Sequence, residues 1–276
     1  MELRPAAAAD AASLHDVFTS AIGELYGRHG FAAPAVPRPV FELLQEHVRA
    51  TGTSVVADAG GDRIAGFASA WSRGDDWFLA SLFVAPAAQG HGLGSALLDA
   101  VWGDGFARRR TITDAIQPVS NALYGRRGLV PVTPILDFAG EPRRGGPLLE
   151  AGSGDPAAID AAAYGFDRAP DHALWERAAP RTLWRQAGEP VAYSYRLGST
   201  IGPLAGIDPE AAAAALDSEL RRAEEPVRVR IPGSCRCLAA VALAHRLRLS
   251  PTPGLLLLSE GVQPPDALAI AGYALF

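Results

Sequence analysis

Residues Leu82 to Leu98 constrain the fold more than any other stretch. The apolar run Leu82-Phe83-Val84 breaks at Ala85-Pro86, and the chain passes through Gly90, Gly92 and Gly94 into an apolar helix. Glycines so spaced let the main chain approach an anion with no Cβ in the way. The first N–H groups of a helix, unpaired within it, point at that anion with the positive end of the helix dipole. A helix cap needs one glycine, so three in register ask for more than capping. A nucleoside-triphosphate loop would need Lys followed by Ser or Thr after the last glycine; Ser95-Ala96 stands there, and that reading fails. A dinucleotide fingerprint, with NAD as ligand, can use Gly90 and Gly92 with Asp114 as its ribose-binding acid. Its third small position would be Ser95, and the loop follows an antiparallel meander, so it stands as the weaker alternative.

Apolar spacing predicts a strand at Met1–Arg4, a helix from an Asp10 cap to about Ile22, a loop over Gly27–Pro39 and a helix around Phe41–Val48. Three strands follow, Thr53–Asp58, Ile64–Trp71 and Trp77–Val84, with turn chemistry at Ala59–Asp62 and Ser72–Asp75, which makes an antiparallel meander. After the glycine loop come a helix over about Leu93–Arg109, a strand at Arg110–Ile116, a helix at Pro118–Arg126, a stop at Gly128 and a strand near Leu129–Asp137.

Counted from Gln89, the loop reads Q-x-x-G-x-G and then a small residue, Ser95. It resembles the acyl-CoA pyrophosphate loop of the GNAT (GCN5-related) N-acetyltransferases, and the order of elements is that of the same fold. A second stretch, Gln117-Pro-Val-Ser-Asn-Ala-Leu-Tyr124-Gly-Arg-Arg-Gly128-Leu129, is similar to the family's second cofactor motif. Tyr124 matches its general-acid tyrosine, Leu129 stands where Phe is commoner, and Gln117 where Asn is usual, which keeps an amide on a longer arm. Apart from that resemblance, Tyr124 reads as a core ring with its hydroxyl at the rim.

The resemblance implies acetyl-CoA as co-substrate and a direct transfer to a primary amine, the acceptor being a small molecule or a peptide. Gly90, His91, Gly92, Leu93, Gly94 and Ser95 would hold the diphosphate by main-chain N–H groups, with Gln89 and Gln117 as further cofactor residues. The pantetheine arm would pair along Leu82, Phe83 and Val84 as an added strand. A backbone N–H on that fourth strand, at a local bulge, would polarise the thioester carbonyl, and Tyr124 would protonate the departing thiolate. No side chain stands out as the base: Asp75 and Asp76 read as solvated turn residues. Only the backbone of His91 is demanded, and Arg108-Arg109-Arg110 reads as a basic last turn facing the helix dipole, with the CoA 3′-phosphate as the alternative. A module that binds acyl-CoA without catalysis is the rival reading.

The chain has 276 residues, 49% of them hydrophobic, enough for two domain cores, and a net charge of -5 that carries no footprint for nucleic acid or anionic membrane. No apolar stretch reaches membrane-span length and no h-region follows Met1, so a cytoplasmic protein is expected; a homodimer is left open. The six histidines show no metal-ligand spacing, no metal is expected, and Cys235 and Cys237 read as small helix-start or core residues.

The sequence divides into residues 1–140 with the cofactor motifs, a Gly/Pro-rich linker at 141–154, and a second domain at 155–276. Strands at Leu183–Gln186, Val191–Leu197 and Ser199–Ala205, a helix at Asp208–Ala223, a strand at Val227–Ile231, a helix at Cys235–Arg246 and strands at Leu249–Leu258 and Ala267–Phe276 repeat the first order. Gly188-Glu-Pro-Val-Ala-Tyr-Ser-Tyr aligns with Gly61-Asp-Arg-Ile-Ala-Gly-Phe-Ala, the mark of an internal duplication. In place of the glycine loop the second copy has Gly206-Ile-Asp208-Pro-Glu210, whose acids repel a diphosphate, and it lacks the tyrosine-to-glycine motif. The fold class expected is α/β (α+β): two acyl-CoA N-acyltransferase folds in tandem, the second degenerate, each a mixed, mostly antiparallel sheet flanked by helices. The first half has no obvious seventh strand, and an exchange of the last strand between halves is left open.

Overall fold

A computed structural model describes residues 1–61 and 63–276; Asp62, the last residue of the first predicted turn, lies outside them. Met1–Thr111 with Ile116–Leu129 form one compact unit, and Ile112–Ala115 with Val130–Phe276 the other.

In the first unit β1 (Glu2–Pro5) is followed by helices α1 (Ala11–Arg28) and α2 (Arg38–Thr51) and by the meander β2 (Gly52–Asp58), β3 (Ile64–Arg73) and β4 (Asp76–Val84). Then come α3 (Leu93–Trp102), β5 (Arg108–Asp114) and α4 (Pro118–Gly125). Strands β1 to β4 pair antiparallel in sequence order, and β5 joins β4 in parallel. Phe67 of β3 packs with Leu14, Val17, Phe41 and Val56 under α1 and α2. Its neighbour Gly66 faces the opposite side, where a Cβ would lie 3.0 Å from Leu97 of α3. The missing side chain lets α3 close onto the sheet.

Three details differ from the sequence reading. Helix α1 runs on to Arg28 because Ile22, Leu25 and Tyr26 bury against Phe18, Phe83 and Ile116, and that packing outweighs Gly23 and Gly27. Helix α3 stops at Trp102, not near Arg109, because Gly103 and Gly105 take φ of 60° and 82°. Asp10 precedes α1, but its carboxylate accepts from the Ala7 N–H at 2.7 Å and from Arg4 at 2.8 Å and leaves the helix uncapped. Arg4, whose Nε also reaches Asp58 at 2.9 Å, thereby ties β1 to β2, and its hydrogen bonds hold the Asp10 carboxyl below its ordinary range.

The second unit begins with β6 (Val130–Gly140), which sequence order assigns to the first half; here β6 pairs with strands of the second half. The segment read as a linker contains β7 (Glu150–Gly152), a short edge strand on β8 (Thr182–Gln186) whose Gly-rich flanks conceal it. Between them lie α5 (Ala157–Ala163) and α6 (Ala169–Trp175). Then follow β9 (Glu189–Leu197), β10 (Thr200–Gly206), α7 (Pro209–Arg221), β11 (Val227–Pro232) and α8 (Arg236–Ala244). Last come β12 (Arg248–Leu249), β13 (Gly254–Leu258) and β14 (Leu268–Ala269), so the long predicted strands near the end are shorter than expected. The strand order is β13-β6-β11-β10-β9-β8-β7, with β12 on β6 and β14 on β10. Beneath α5 and α6 the unit buries a polar chain: Tyr193 donates to Asp160 at 2.9 Å, and His172 bridges Asp160 at 2.9 Å and the Tyr195 hydroxyl at 2.8 Å. Cys235 is buried, its thiol donating to the Pro265 carbonyl, and burial raises its pKa to about 12. Among the described residues no helix is long and apolar enough to cross a membrane, and no group of three or more His, Cys, Asp or Glu is placed to hold a metal ion.

Candidate active site

The first unit's sheet opens in the middle of β4. The parallel ladder to β5 runs from Asp76↔Arg108 to Leu79↔Thr111, where Thr111 Oγ1 donates to the Leu79 carbonyl at 3.1 Å, and goes no further. On the other side the antiparallel ladder to β3 slips at the same level: Ser69 faces Ser81, Ala70 faces Leu79, and Ala80 is the extra residue of a bulge. From Ala80 to Val84, β4 therefore has no strand partner on its β5 side among the described residues.

Beyond Val84 the chain makes one turn at Pro86–Ala88 and enters the glycine loop, which is exposed at Gly90, His91 and Gly92 and half-buried from Leu93 to Ser95. Gly90 and Gly92 take φ of 83° and 79° and have open space where a Cβ would be; Gly92 is the N-cap of α3. The first helical hydrogen bond is Ala96 N–H to Gly92 carbonyl at 3.1 Å, and no side chain caps the helix. The N–H groups of Leu93, Gly94 and Ser95 thus lack intrahelical acceptors. Gln89 donates its amide to the Val84 carbonyl at 3.0 Å and so fastens the loop to the end of β4.

Helix α4 closes the arrangement. The Cβ position of Gly94 lies 3.8 Å from both Leu123 of α4 and Val84 of β4, so strand end, loop and α4 meet at one point. Gln117 is the N-cap of α4, its side-chain oxygen accepting from the Val119 N–H at 3.3 Å. Tyr124 is 4% exposed, with its hydroxyl bonded to Ser120, and burial moves its pKa upward well beyond the phenol range. Of the pantetheine residues, Phe83 turns its ring onto Phe18 and Phe67, which leaves its main chain for the β4 edge.

The charged residues nearby are structural. Asp76 is 2% exposed, not a solvated turn residue, and pairs with Arg108 and Arg110 at 2.7 Å each. Asp76 strengthens the hold of Arg108 on its proton, whereas burial lowers the pKa of Arg110. Arg109 donates to the Trp102 and Gly103 carbonyls and stacks 4.4 Å from the Trp102 ring centroid, capping α3 from β5. Sequence reasoning missed Gln45, Ser69 and Ser81, a buried polar trio beside the bulge. The available signal was a glutamine in the apolar stripe of α2.

Residues 17–129 match the model of the acetyltransferase (GNAT) family. The chain carries a GNAT acetyltransferase domain. That family is one of acyltransferases, and the match takes in the glycine loop, α4 and Tyr124. No curated protein matches by sequence. Among solved structures, a proposed acetyltransferase from Pyrococcus horikoshii superposes at TM-score 0.77 with 18% identity, over 100% of this chain and 95% of that one. A GCN5-related N-acetyltransferase from Sphaerobacter thermophilus superposes at 0.64 with 17% identity, over 96% and 97%. A tandem GNAT protein from the clavulanic acid biosynthesis pathway does so at 0.57 with 13% identity, over 95% and 99%. At these identities the likeness is one of fold: two GNAT-type units in tandem, the second without the glycine loop.

Proposed function

We propose that the first unit moves an acetyl group from acetyl-CoA to a primary amine by direct attack while both substrates are bound. One observation carries this reading: a β4 edge that, among the described residues, has no partner on its β5 side from Ala80 to Val84 runs directly into a loop whose first helical N–H groups lack intrahelical acceptors and a side-chain cap. A pantetheine arm has amide groups spaced for adding to that edge at Leu82, Phe83 and Val84, and a diphosphate matches the N–H groups from Gly90 to Ser95. Gln89 and Gln117 serve by fixing the loop and α4, and His91 contributes main chain only.

In the reaction the amine nitrogen bonds to the thioester carbonyl carbon, and negative charge gathers on the oxygen. Backbone N–H groups at the Ala80 bulge stabilise that charge. The C–S bond then breaks, the thiolate leaves with the bonding pair and takes the Tyr124 proton; the amine's surplus proton passes to water, from which Tyr124 regains its own. A phenol whose pKa is raised by burial stays protonated across the working range. The same desolvation raises the basicity of the thiolate that receives the proton. Juxtaposing amine and thioester supplies much of the rate.

The burial of Tyr124 and its bond to Ser120 favour a second reading, a module that binds acyl-CoA without turning it over. A panel of small amines and peptide amino termini, assayed for free thiol release from acetyl-CoA, separates the two. Amine-dependent thiol release supports transfer; tight binding of acetyl-CoA with no release from any amine leaves the binding module, and no binding at all overturns both.

A further inference from the structure

Helix α2 turns Phe41, Gln45 and Val48 into the core, at the spacing of one helical face. Two of the three are apolar, and the third is a primary amide only 6% exposed. A buried amide is costly unless it is hydrogen-bonded, and Gln45 meets two hydroxyls. Its Nε2 donates to Ser81 Oγ at 3.2 Å, and its Oε1 accepts from Ser69 Oγ at 3.3 Å. Ser69 and Ser81 are themselves buried, and they face each other across the β3–β4 ladder. They form the last register pair before the slip that leaves Ala80 unpaired, one residue beyond the point where β4 parts from β5. A single side chain from α2 thus ties both strands together at the level where β4 bulges and splays.

Stability alone gives no reason for this trio. Leucine at 45 with alanine at 69 and 81 would fill the same face without polar atoms, and exchanging every partner for apolar groups is close to neutral. Register is another matter. Around the slip Ala68 faces Leu82, Ser69 faces Ser81 and Ala70 faces Leu79, and Ala80 is the residue left over. With alanine or serine on at least one side of each of these pairs, little in the apolar packing itself marks which residue is the extra one. A buried polar contact that admits one register is the best-attested use of such groups.

We propose that Gln45 is a positioning residue for acyl transfer: by clasping Ser69 and Ser81 it holds the bulge at Ala80, and with it the backbone N–H groups that meet the thioester oxygen. The inference rests on the acetyl-transfer reading above.

The test compares the wild-type chain with Gln45→Leu and with the triple variant Q45L/S69A/S81A. The readouts are CoA affinity by calorimetry, the thermal midpoint, and the amide resonances of Ala80 and Ser81 with CoA against acetyl-CoA. With an accepted amine, kcat and KM are added. Gln45→Leu is expected to keep CoA affinity within about twofold and the KM for acetyl-CoA unchanged, while kcat falls about tenfold. It should also lose the resonance difference between the two ligands. The triple variant should regain the wild-type midpoint and not the rate. Recovery of rate together with midpoint in the triple variant would make the trio a structural feature and overturn the proposal. So would a wild-type rate or an undiminished resonance difference in Gln45→Leu. Should the wild-type chain bind neither CoA nor acetyl-CoA, the transfer reading itself falls and takes the clasp with it.

Discussion

The two units contain the same splayed pair of strands and satisfy it in opposite ways. In the first, β4 and β5 part after Leu79, a bulge follows at Ala80, and among the described residues the edge beyond has no strand on its β5 side. In the second, β10 and β11 pair in parallel only at Thr200↔Arg228 and Ile201↔Val229, and the ladder between β9 and β10 slips between Ile201 and Leu204. Here the gap is filled. Strand β14 lies antiparallel on β10, with Leu204 facing Ala269 and Ala205 facing Leu268, and on its other side the Ile270 N–H donates to the Arg230 carbonyl at 2.9 Å. Gly202 makes room: a Cβ there would sit 2.7 Å from the Ile270 carbonyl oxygen. The helix N-termini differ in the same sense. Gly92 leaves the first turn of α3 without a cap, whereas Asp208 places its carboxylate on the Ala211 N–H at 2.7 Å. Open edges and unpaired amides must be satisfied by something. Among the described residues one unit leaves its own open, and the other covers them with its own chain.

The sharpest way to break this contrast is to give the first unit the second unit's carboxylate. Gly92→Asp puts an anion where the diphosphate is to bind, at a backbone φ of 79° that disfavours side chains. It is expected to weaken acetyl-CoA binding about a thousandfold, or ~4 kcal/mol, by calorimetry. Unchanged affinity would mean that the diphosphate is held elsewhere. Next in size is the strap. Leu268 is fully buried, and Leu268→Ala should destabilise the chain by about 3 kcal/mol in denaturant titration. Exchange should quicken together at the amides of Gly206 and Ile270, which donate to Ala267 and Arg230. Acetyl-CoA should still bind one per chain, because Asp208 remains in place; a second equivalent would show that β14 alone closes that cleft.

Tyr124→Phe sharpens the same comparison, since no tyrosine stands in α8 or the residues just after it. Thiol release with a competent amine should fall about a hundredfold near neutral pH while CoA affinity holds. Undiminished release would return Tyr124 to the core role that its burial also fits.

Most of this architecture is written locally, and what is not local was hidden. The glycine loop, the meander and the Tyr124 helix follow from spacing and turn chemistry, and the structure has them at those positions. The residue that bulges is Ala80, and nothing in an alanine marks it. Asp76 sits beside a turn and looks solvated; its burial depends on Arg108 and Arg110, which arrive from another strand. The stripe of α2 tolerates one polar residue without losing its period, so Gln45 passes as a boundary position. Leu268 and Ala269 read as strand from their apolar character, yet apolar character names no partner, and the gap they fill is defined by residues some sixty positions earlier. Pairing across such distances is set by competition among edges, which a linear pattern does not record.

The smallest expected effect concerns Asp208, and it separates the two devices that close the second cleft. As N-cap of α7 its carboxylate satisfies the Ala211 N–H, so Asp208→Ala should cost about 1 kcal/mol in denaturant titration, the usual worth of such a cap. The substitution also removes one of the two carboxylates at this helix start, Glu210 remaining, and frees the Ala211 N–H for an external anion. With β14 still seated, a CoA diphosphate cannot be followed by its pantetheine arm, so any gain is confined to small anions: inorganic phosphate should raise the variant's thermal midpoint more than that of the wild type, and acetyl-CoA should not. If acetyl-CoA instead binds at two equivalents in Asp208→Ala, the carboxylate alone keeps the second cleft empty, and β14 is a strand that yields to a ligand.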